Sequence, residues 1–378
     1  MKKMKLQEVC ELFTDGDWIE SKDQSDVGIR LIQTGNIGVG QYLEKEDRKK
    51  YISEETFRTL NCTEVYSGDI LISRLPEPVG RGCIIPEKDE RMITAVDCTI
   101  CRVNESILDK RYFCYYLQSS AYYNQLEQSV TGTTRKRISR KNLGAVEITV
   151  PEKENQIKII NVLDKVSVVI EARKDELQKL DELIKSRFVE MFGNPVSNPK
   201  GMVKKTLPEL GEFGRGVSKH RPRNDKALLG GPYPLIQTGD IANSGMYITE
   251  YHSTYSELGL RQSKMWDKGT LCITIAANIA KTAILGFDAC FPDSVVGFNA
   301  NENTNNVFVH YWFSFFQEIL ESQAPESAQK NINLKILSKL EVIVPGIQEQ
   351  NKFAAFVAQT DKSKLFVNVY FILIFCCL

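Results

Sequence analysis

The stretch "IRLIQTGNI" at residues 29–37 returns 204 positions later as "YPLIQTGDI" at 233–241. A phrase written twice with different neighbours must find the same local structure twice, and the agreement runs well beyond it. "LQEVCEL" (6–12) answers "LPELGEF" (207–213), and "SGDILIS" (67–73) resembles "DKGTLCIT" (267–274), each a turn feeding a short apolar strand. "RYFCYYLQSS" (111–120) matches "NVFVHYWFSF" (306–315), and "ISRKNLGAVEITVP" (138–151) aligns with "INLKILSKLEVIVP" (332–345). The order of elements is shared, while the offset drifts from 204 to 194, so loops differ and elements persist. This is a tandem duplication rather than a short-period solenoid. With 378 residues there is room for each copy to bury its own core.

Each half reads as mixed α and β: short strands, turns with Gly and Asp, an aromatic-rich helix whose rings suit core packing, and a last strand ending at Pro151 or Pro345. Beyond Pro151 the pattern changes. Residues 156–193 contain no proline and no internal glycine, and Ile159, Leu163, Val166, Ile170, Leu177, Leu180, Ile184 and Met191 follow alternate steps of four and three. Arg173 and Arg187 interrupt that seam. Such a helix spans roughly 57 Å at about 1.5 Å per residue, and its apolar stripe needs a partner helix. "FGNP" ends it, with Gly193 as cap and Pro195 beyond. After Pro345, "QEQNKFAAFVAQTDKSK" (348–364) begins a second helix with Phe353 and Val357 on the corresponding seam.

Composition excludes more than it names. Lysine plus arginine equals aspartate plus glutamate, 48 against 48, so any electrostatic signal is local. Ten cysteines are too sparse and irregular for a disulfide framework. "CTIC" (Cys98 to Cys101) has no second pair, only three histidines are present, and the surrounding "AVDCTICRV" reads as an apolar strand rather than a metal site. Reduced thiols and Glu8 and Glu11 interrupting any secretory h-region point to the cytoplasm. No Gly-Lys pair, no HExxH, no Asn-Pro-Pro-aromatic signature and no nuclease carboxylate cluster occurs. The chain carries no visible equipment for catalysis.

Charge gathers in two places. In "VTGTTRKRISRKNLG" (130–144), Arg135, Lys136, Arg137, Arg140 and Lys141 fall within seven residues, with no acid from Gln128 to Val146. Thr133, Thr134 and Gly132 beside them suit a backbone that approaches phosphate. "GRGVSKHRPRNDK" (214–226) supplies Lys219, Arg221 and Arg223 in the second half. The copy aligned with the first run is instead "ESAQKNINLK", whose Gln329, Lys330 and Asn331 include side chains that read base edges. The "IQTG" phrase has two readings. It is a structural turn with glycine at positive φ, or a contact loop in which Gln33, Thr34 and Asn36, with Gln237, Thr238 and Asp240, meet DNA. Asn36 against Asp240 is the sharper difference, because that position could touch a base in one half only.

Two diverged mixed domains, each followed by a proline and a long heptad helix, resemble the specificity subunit of type I restriction-modification systems. The resemblance covers residues 1 to about 364, and its most specific parts are "ITVPEKENQIKIINVLDKV", "KSRFVEMFGNP" and the twin "LIQTGNI/LIQTGDI" phrases. It implies an α+β chain of two tandem target-recognition domains, 1–155 and 194–346, separated by a long conserved helix at 156–193. A second helix starts at 347–364. It implies a non-catalytic subunit that reads a bipartite, asymmetric site on double-stranded DNA, its two helices packed antiparallel and docking methyltransferase subunits. Motor and nuclease subunits join through the complex. No cofactor is expected on this chain; S-adenosylmethionine, ATP and magnesium belong to the partner subunits.

The sequence departs from that pattern at its end, where residues 365–378 are apolar except Asn368. Fourteen residues fall short of the roughly 20 that span a bilayer, so no membrane anchor is expected, and the tail reads as a frameshift or truncation that leaves the second helix incomplete. Rival readings are a stand-alone DNA-binding or coiled-coil scaffold, an inactive remnant, and a methyltransferase or nuclease with an unrecognised motif.

Overall fold

A computed structural model describes residues 2–132, 136–276, 279–322 and 332–376, from Leu365 onward by their backbone only. Residues 1–171 and 172–378 form two compact units, the division running through the long helix Lys153–Phe192. The duplicated text folds into duplicated topology. In the first unit one sheet has the strand order Cys10–Asp15, Cys98–Val103, Ile70–Ser73, Gly82–Ile84. In the second the order is Gly211–Arg215, Val295–Ala300, Leu271–Thr274, Thr282–Leu285, with Tyr247–Ile248 added at the edge. A further sheet in each unit is built around one parallel pair: Ile29–Ile32 with Met92–Thr94, and Leu229–Leu235 with Ala289–Cys290. The first and last strands of each unit close as a two-stranded ribbon, Lys2–Lys5 with Glu147–Val150 and Lys204–Thr206 with Glu341–Ile343.

Local chemistry sets these elements. Ile70–Ser73 and Leu271–Thr274 are buried along their whole length, which is why they read as continuous apolar runs rather than alternating ones. The turn feeding each closes alike, Asp69 N–H to Tyr66 O at 3.0 Å and Thr270 N–H to Asp267 O at 3.1 Å. Gly68 at φ +92° and Gly269 at φ +95° hold the left-handed position that a side chain resists. Before the final strand, Ser139 Oγ accepts from Asn142 N–H at 3.1 Å and Asn333 Oδ1 from Ile336 N–H at 2.9 Å, each capping one short helix. Cys98 and Cys101 are fully buried on their strand. Burial pushes the Cys98 thiol up to about 12, so both behave as small core residues.

The long helix is anchored differently from the seam its heptads predict. Ile159 is exposed, and the core positions are Gln156, Ile160, Ile184, Phe188 and Phe192. Leu163, Val166, Ile170, Leu177 and Leu180 are half-buried. The helix is shared by two globular cores, so residues facing a core near either end, rather than one continuous stripe, carry the burial. In the second unit Phe188 lies 5.0 Å from Phe192, 5.3 Å from Phe308 and 5.4 Å from Phe353, ring centre to ring centre. Phe353 belongs to the helix Ile347–Cys376. Lys364 on that helix reaches Asp181 at 2.6 Å, so the two helices run antiparallel over this stretch. Gly193, at φ +78°, ends the long helix, its N–H on Val189 O at 2.7 Å. The second helix does not stop at Lys364, where its heptad pattern does, but continues in backbone to Cys376.

A buried glutamine ties each helix start to its own unit. Gln156 Nε2 donates to Pro151 O at 2.8 Å and Ile107 O at 3.1 Å while its Oε1 accepts from Asp109 N–H at 2.8 Å. Gln350 donates to Pro345 O at 2.8 Å and Asn303 O at 3.1 Å and accepts from Thr304 Oγ1 at 2.9 Å. Both are completely buried. Sequence reading passed over them, although a glutamine five residues after the proline in both copies was a visible signal. Among the described residues no helix is long and apolar enough to cross a membrane, and no cluster of three or more His, Cys, Asp or Glu could hold a metal.

Candidate nucleic-acid interface

The "IQTG" phrase is a helical turn in both units: Thr34–Asn36 in the first, the start of Thr238–Asn243 in the second. Asn36 Oδ1 accepts from Gln33 N–H at 3.0 Å, and Asp240 Oδ2 accepts from Gln237 N–H at 2.8 Å. Amide and carboxylate do the same work, satisfying a free N–H at a helix start. One expectation is corrected here. Gly35 and Gly239 are absent from the positive-φ residues, because the turn is right-handed. Asn36, expected as a possible base contact, is 5% exposed and its Nδ2 donates to Leu43 O at 3.0 Å. Asp240 is held by the same cap and also by His252 Nδ1 at 3.1 Å. Gln33, Thr34 and Thr238 are half-buried, and Gln237 is exposed with its Nε2 3.3 Å from Ser253 Oγ.

The basic run of the first unit rests on a short ladder, Thr131 N–H to Arg137 O and Arg137 N–H to Thr131 O, both 2.9 Å. Thr133, Thr134 and Arg135 lie outside the described residues, as do Gln329, Lys330 and Asn331 in the second unit. No acid stands within the run, yet the fold brings two to it. Arg137 Nη2 is 3.0 Å from Asp97, and Arg140 Nη1 is 4.0 Å from Asp15 and 3.4 Å from Thr14 Oγ1. Lys136 and Lys141 are exposed and have no ion pair among the described residues. Lys136 borders a cavity of about 680 Å³ together with Pro76, Pro78, Tyr123 and Val130.

In the second unit Arg223 Nη2 is 2.5 Å and Arg221 Nη2 3.6 Å from Asp293, and Arg221 Nη1 donates to Ser218 O at 2.6 Å. Lys219 is exposed, its backbone N–H on Gln262 Oε1 at 2.7 Å. Gln237, Thr238 and Asp240 line a polar cleft of about 620 Å³ with Asn243, Tyr247 and His252.

Asp97 and Asp293 occupy the same turn of the shared frame. It lies just ahead of the strand that begins at Cys98 or Val295, closed by Cys98 N–H to Ala95 O at 2.9 Å and Val295 N–H to Pro292 O at 3.0 Å. Thus each basic run reaches one equivalent place, the first through Arg137 and the second through Arg221 and Arg223. In the first unit the loop 74–81 joins this place to the "IQTG" turn. Arg74, 4% exposed, donates to Val96 O at 2.6 Å and Ile138 O at 3.3 Å and pairs with Asp15 at 3.2 Å. Arg81 at the other end donates to Thr34 O at 2.8 Å and Ile37 O at 2.6 Å. Neither arginine was singled out by sequence reading, because an isolated arginine gives no sign of burial.

A family model described as type I restriction modification DNA specificity domain matches residues 1–182 and again 199–366. A chain from a structure of a type I R-M system, described for its complex assembly and conformational transition, is 16% identical with a TM-score of 0.55, over 98% of this chain and 92% of that one. The type I restriction-modification system S subunit from M. genitalium is 15% identical with a TM-score of 0.51, over 98% of this chain and 91% of its own. At these identities the two structures speak to the fold.

Proposed function

The chain belongs to the type I restriction modification DNA specificity family, and from that premise we propose that its two units read the two unlike halves of one bipartite site on double-stranded DNA. The observation that carries this reading is the convergence of both basic runs on one equivalent turn, Arg137 at Asp97 and Arg221 with Arg223 at Asp293. Phosphate contacts position a protein on DNA without specifying sequence, so a shared place for cations suits two domains that dock alike and read differently. Methyltransferase subunits dock on the helices, whose residues Ile159, Val162 and Val169 are left exposed, and a motor subunit joins through them. S-adenosylmethionine, ATP and magnesium then act on those partners, in the cytoplasm. Such a role needs no catalytic group on this chain.

The test is the salt dependence of DNA binding by the chain together with its methyltransferase. Replacing Arg221 and Arg223 with alanine, or Lys136 and Arg137, should reduce the slope of log K against log salt by about 0.9 for each phosphate that is no longer neutralised. An unchanged slope and affinity in both double variants would overturn the reading.

A further inference from the structure

The loop 74–81 and its counterpart 275–281 are closed by the same pair of hydrogen bonds and differ in the residue at the last position. Ser73 N–H donates to Arg81 O at 2.9 Å and Gly80 N–H to Ser73 O at 2.8 Å. In the second unit Thr274 N–H donates to Lys281 O and Ala280 N–H to Thr274 O, both at 2.9 Å. Lys281 is exposed. Arg81, in the same register position, is 8% exposed. Its Nε donates to Ile37 O at 2.6 Å, its Nη1 to Leu75 O at 2.8 Å and Pro78 O at 3.1 Å, and its Nη2 to Thr34 O at 2.8 Å. Among the described residues it has no carboxylate partner.

A buried cation is costly unless its hydrogens are satisfied. Here four carbonyls satisfy it, two from the "IQTG" turn and two from the neighbouring loop. The planar fork of guanidinium can span both loops in one fixed geometry, which an ammonium cannot. We infer that Arg81 is a positioning residue that locks the 34–37 turn to the 75–78 loop, and so sets how sharply the first unit discriminates its half of the DNA site. This rests on the DNA-reading role proposed above. Its reach is confined to the first unit, because the second has no such brace at Lys281.

The experiment compares sequence selection from random DNA by the chain with its methyltransferase, as wild type, Arg81→Ala and Arg81→Lys. The expected result is a drop of about tenfold in discrimination within one half-site, comparable to the absence of one well-made base contact. The other half-site should stay within about twofold of wild type. The half that blurs should be the one whose binding weakens in the Lys136 and Arg137 alanine variant. Two sharp motifs in a folded variant would overturn the inference, and so would equal blurring of both halves, which marks a general loss of structure. Should Arg81→Ala fail to fold, hydrogen exchange on Arg81→Lys decides: faster exchange confined to 34–37 and 75–80 supports the brace, and unchanged exchange there rejects it. A wild-type chain that selects no two-part motif would remove the DNA reading, while the exchange measurement would still judge the brace.

Discussion

The loops that follow the first long strand of each unit occupy equivalent positions, Gly16 N–H bonding Cys98 O and Gly216 N–H bonding Val295 O, each at 2.9 Å. Residues 15–26 carry five acids and one lysine, whereas 215–226 carry five bases and one aspartate. The cations that the first unit lacks in this loop come instead from 136–141, at the far end of its sequence. Charge of opposite sign is tolerated because these loops are largely solvated, where an ion pair contributes little to stability. What stays constant is the place: an aspartate in the turn before the central strand holds an arginine in both units. The frame thus specifies where the cations gather and leaves open which segment delivers them.

The two units also hold the long helix differently, and that contrast predicts the greatest cost. Phe188 sits among four phenylalanine rings of the second unit, so Phe188→Ala should cost about 3–5 kcal/mol there. The denaturant midpoint read from the buried Trp266 and Trp312, both in that unit, would report it. Gln156→Ala in the first unit should cost about 1–3 kcal/mol, by leaving buried backbone groups unpaired, and hydrogen exchange at Asp109 should report the loss. Equal costs would remove the distinction between an aromatic anchor and a polar one.

All three histidines lie in the second unit, which makes pH a means of separating the two. His310 is bonded through Nδ1 to Thr282 Oγ1 at 2.9 Å. Burial first, then the Lys364 ammonium, lowers its pKa to about 4 from 6.5. A depressed pKa means that the unfolded chain takes up the proton first. The stability is therefore complete above pH 6.5 and falls as pH drops toward 4, by about 1.4 kcal/mol per pH unit from this group. Denaturant midpoints of the second unit at pH 7 and 5 should differ accordingly, and His310→Phe should flatten that slope. A slope that survives the substitution would exclude His310 as its source.

A smaller difference is expected between the two equivalent loops. Gly80 at φ +88° and Ala280 at φ +57° make the same left-handed kink. Ala280→Gly should stabilise the second unit by at most about 1 kcal/mol, the relief of left-handed strain reduced by the added freedom of the unfolded chain. Gly80→Ala should destabilise the first, since its Cβ would stand 2.2 Å from Leu126 Cδ1. Thermal midpoints of both variants check the signs.

Much of this was legible in the chain. The duplication, the order of elements, the short apolar strands fed by turns and the Gly193 stop all follow from local pattern and spacing, and the structure shows each of them. The "IQTG" turn was legible as a turn, but its handedness and the job of Asn36 were not. A side chain that caps a backbone N–H and one that meets a base have the same composition. The heptad seam pointed to Ile159 where the core took Ile160, since a helix shared between two cores need not bury one continuous stripe.

The twofold architecture was settled by the chain alone, because periodicity and turn chemistry act between residues close in sequence. Which charges remain free was settled by tertiary packing. Asp97 meets Arg137 forty residues on, and Asp293 meets Arg221 and Arg223 some seventy residues back. The same packing gave Arg81 its four carbonyls in two loops. Burial and pairing depend on what the fold packs against a side chain, and for these residues the partners are distant in sequence.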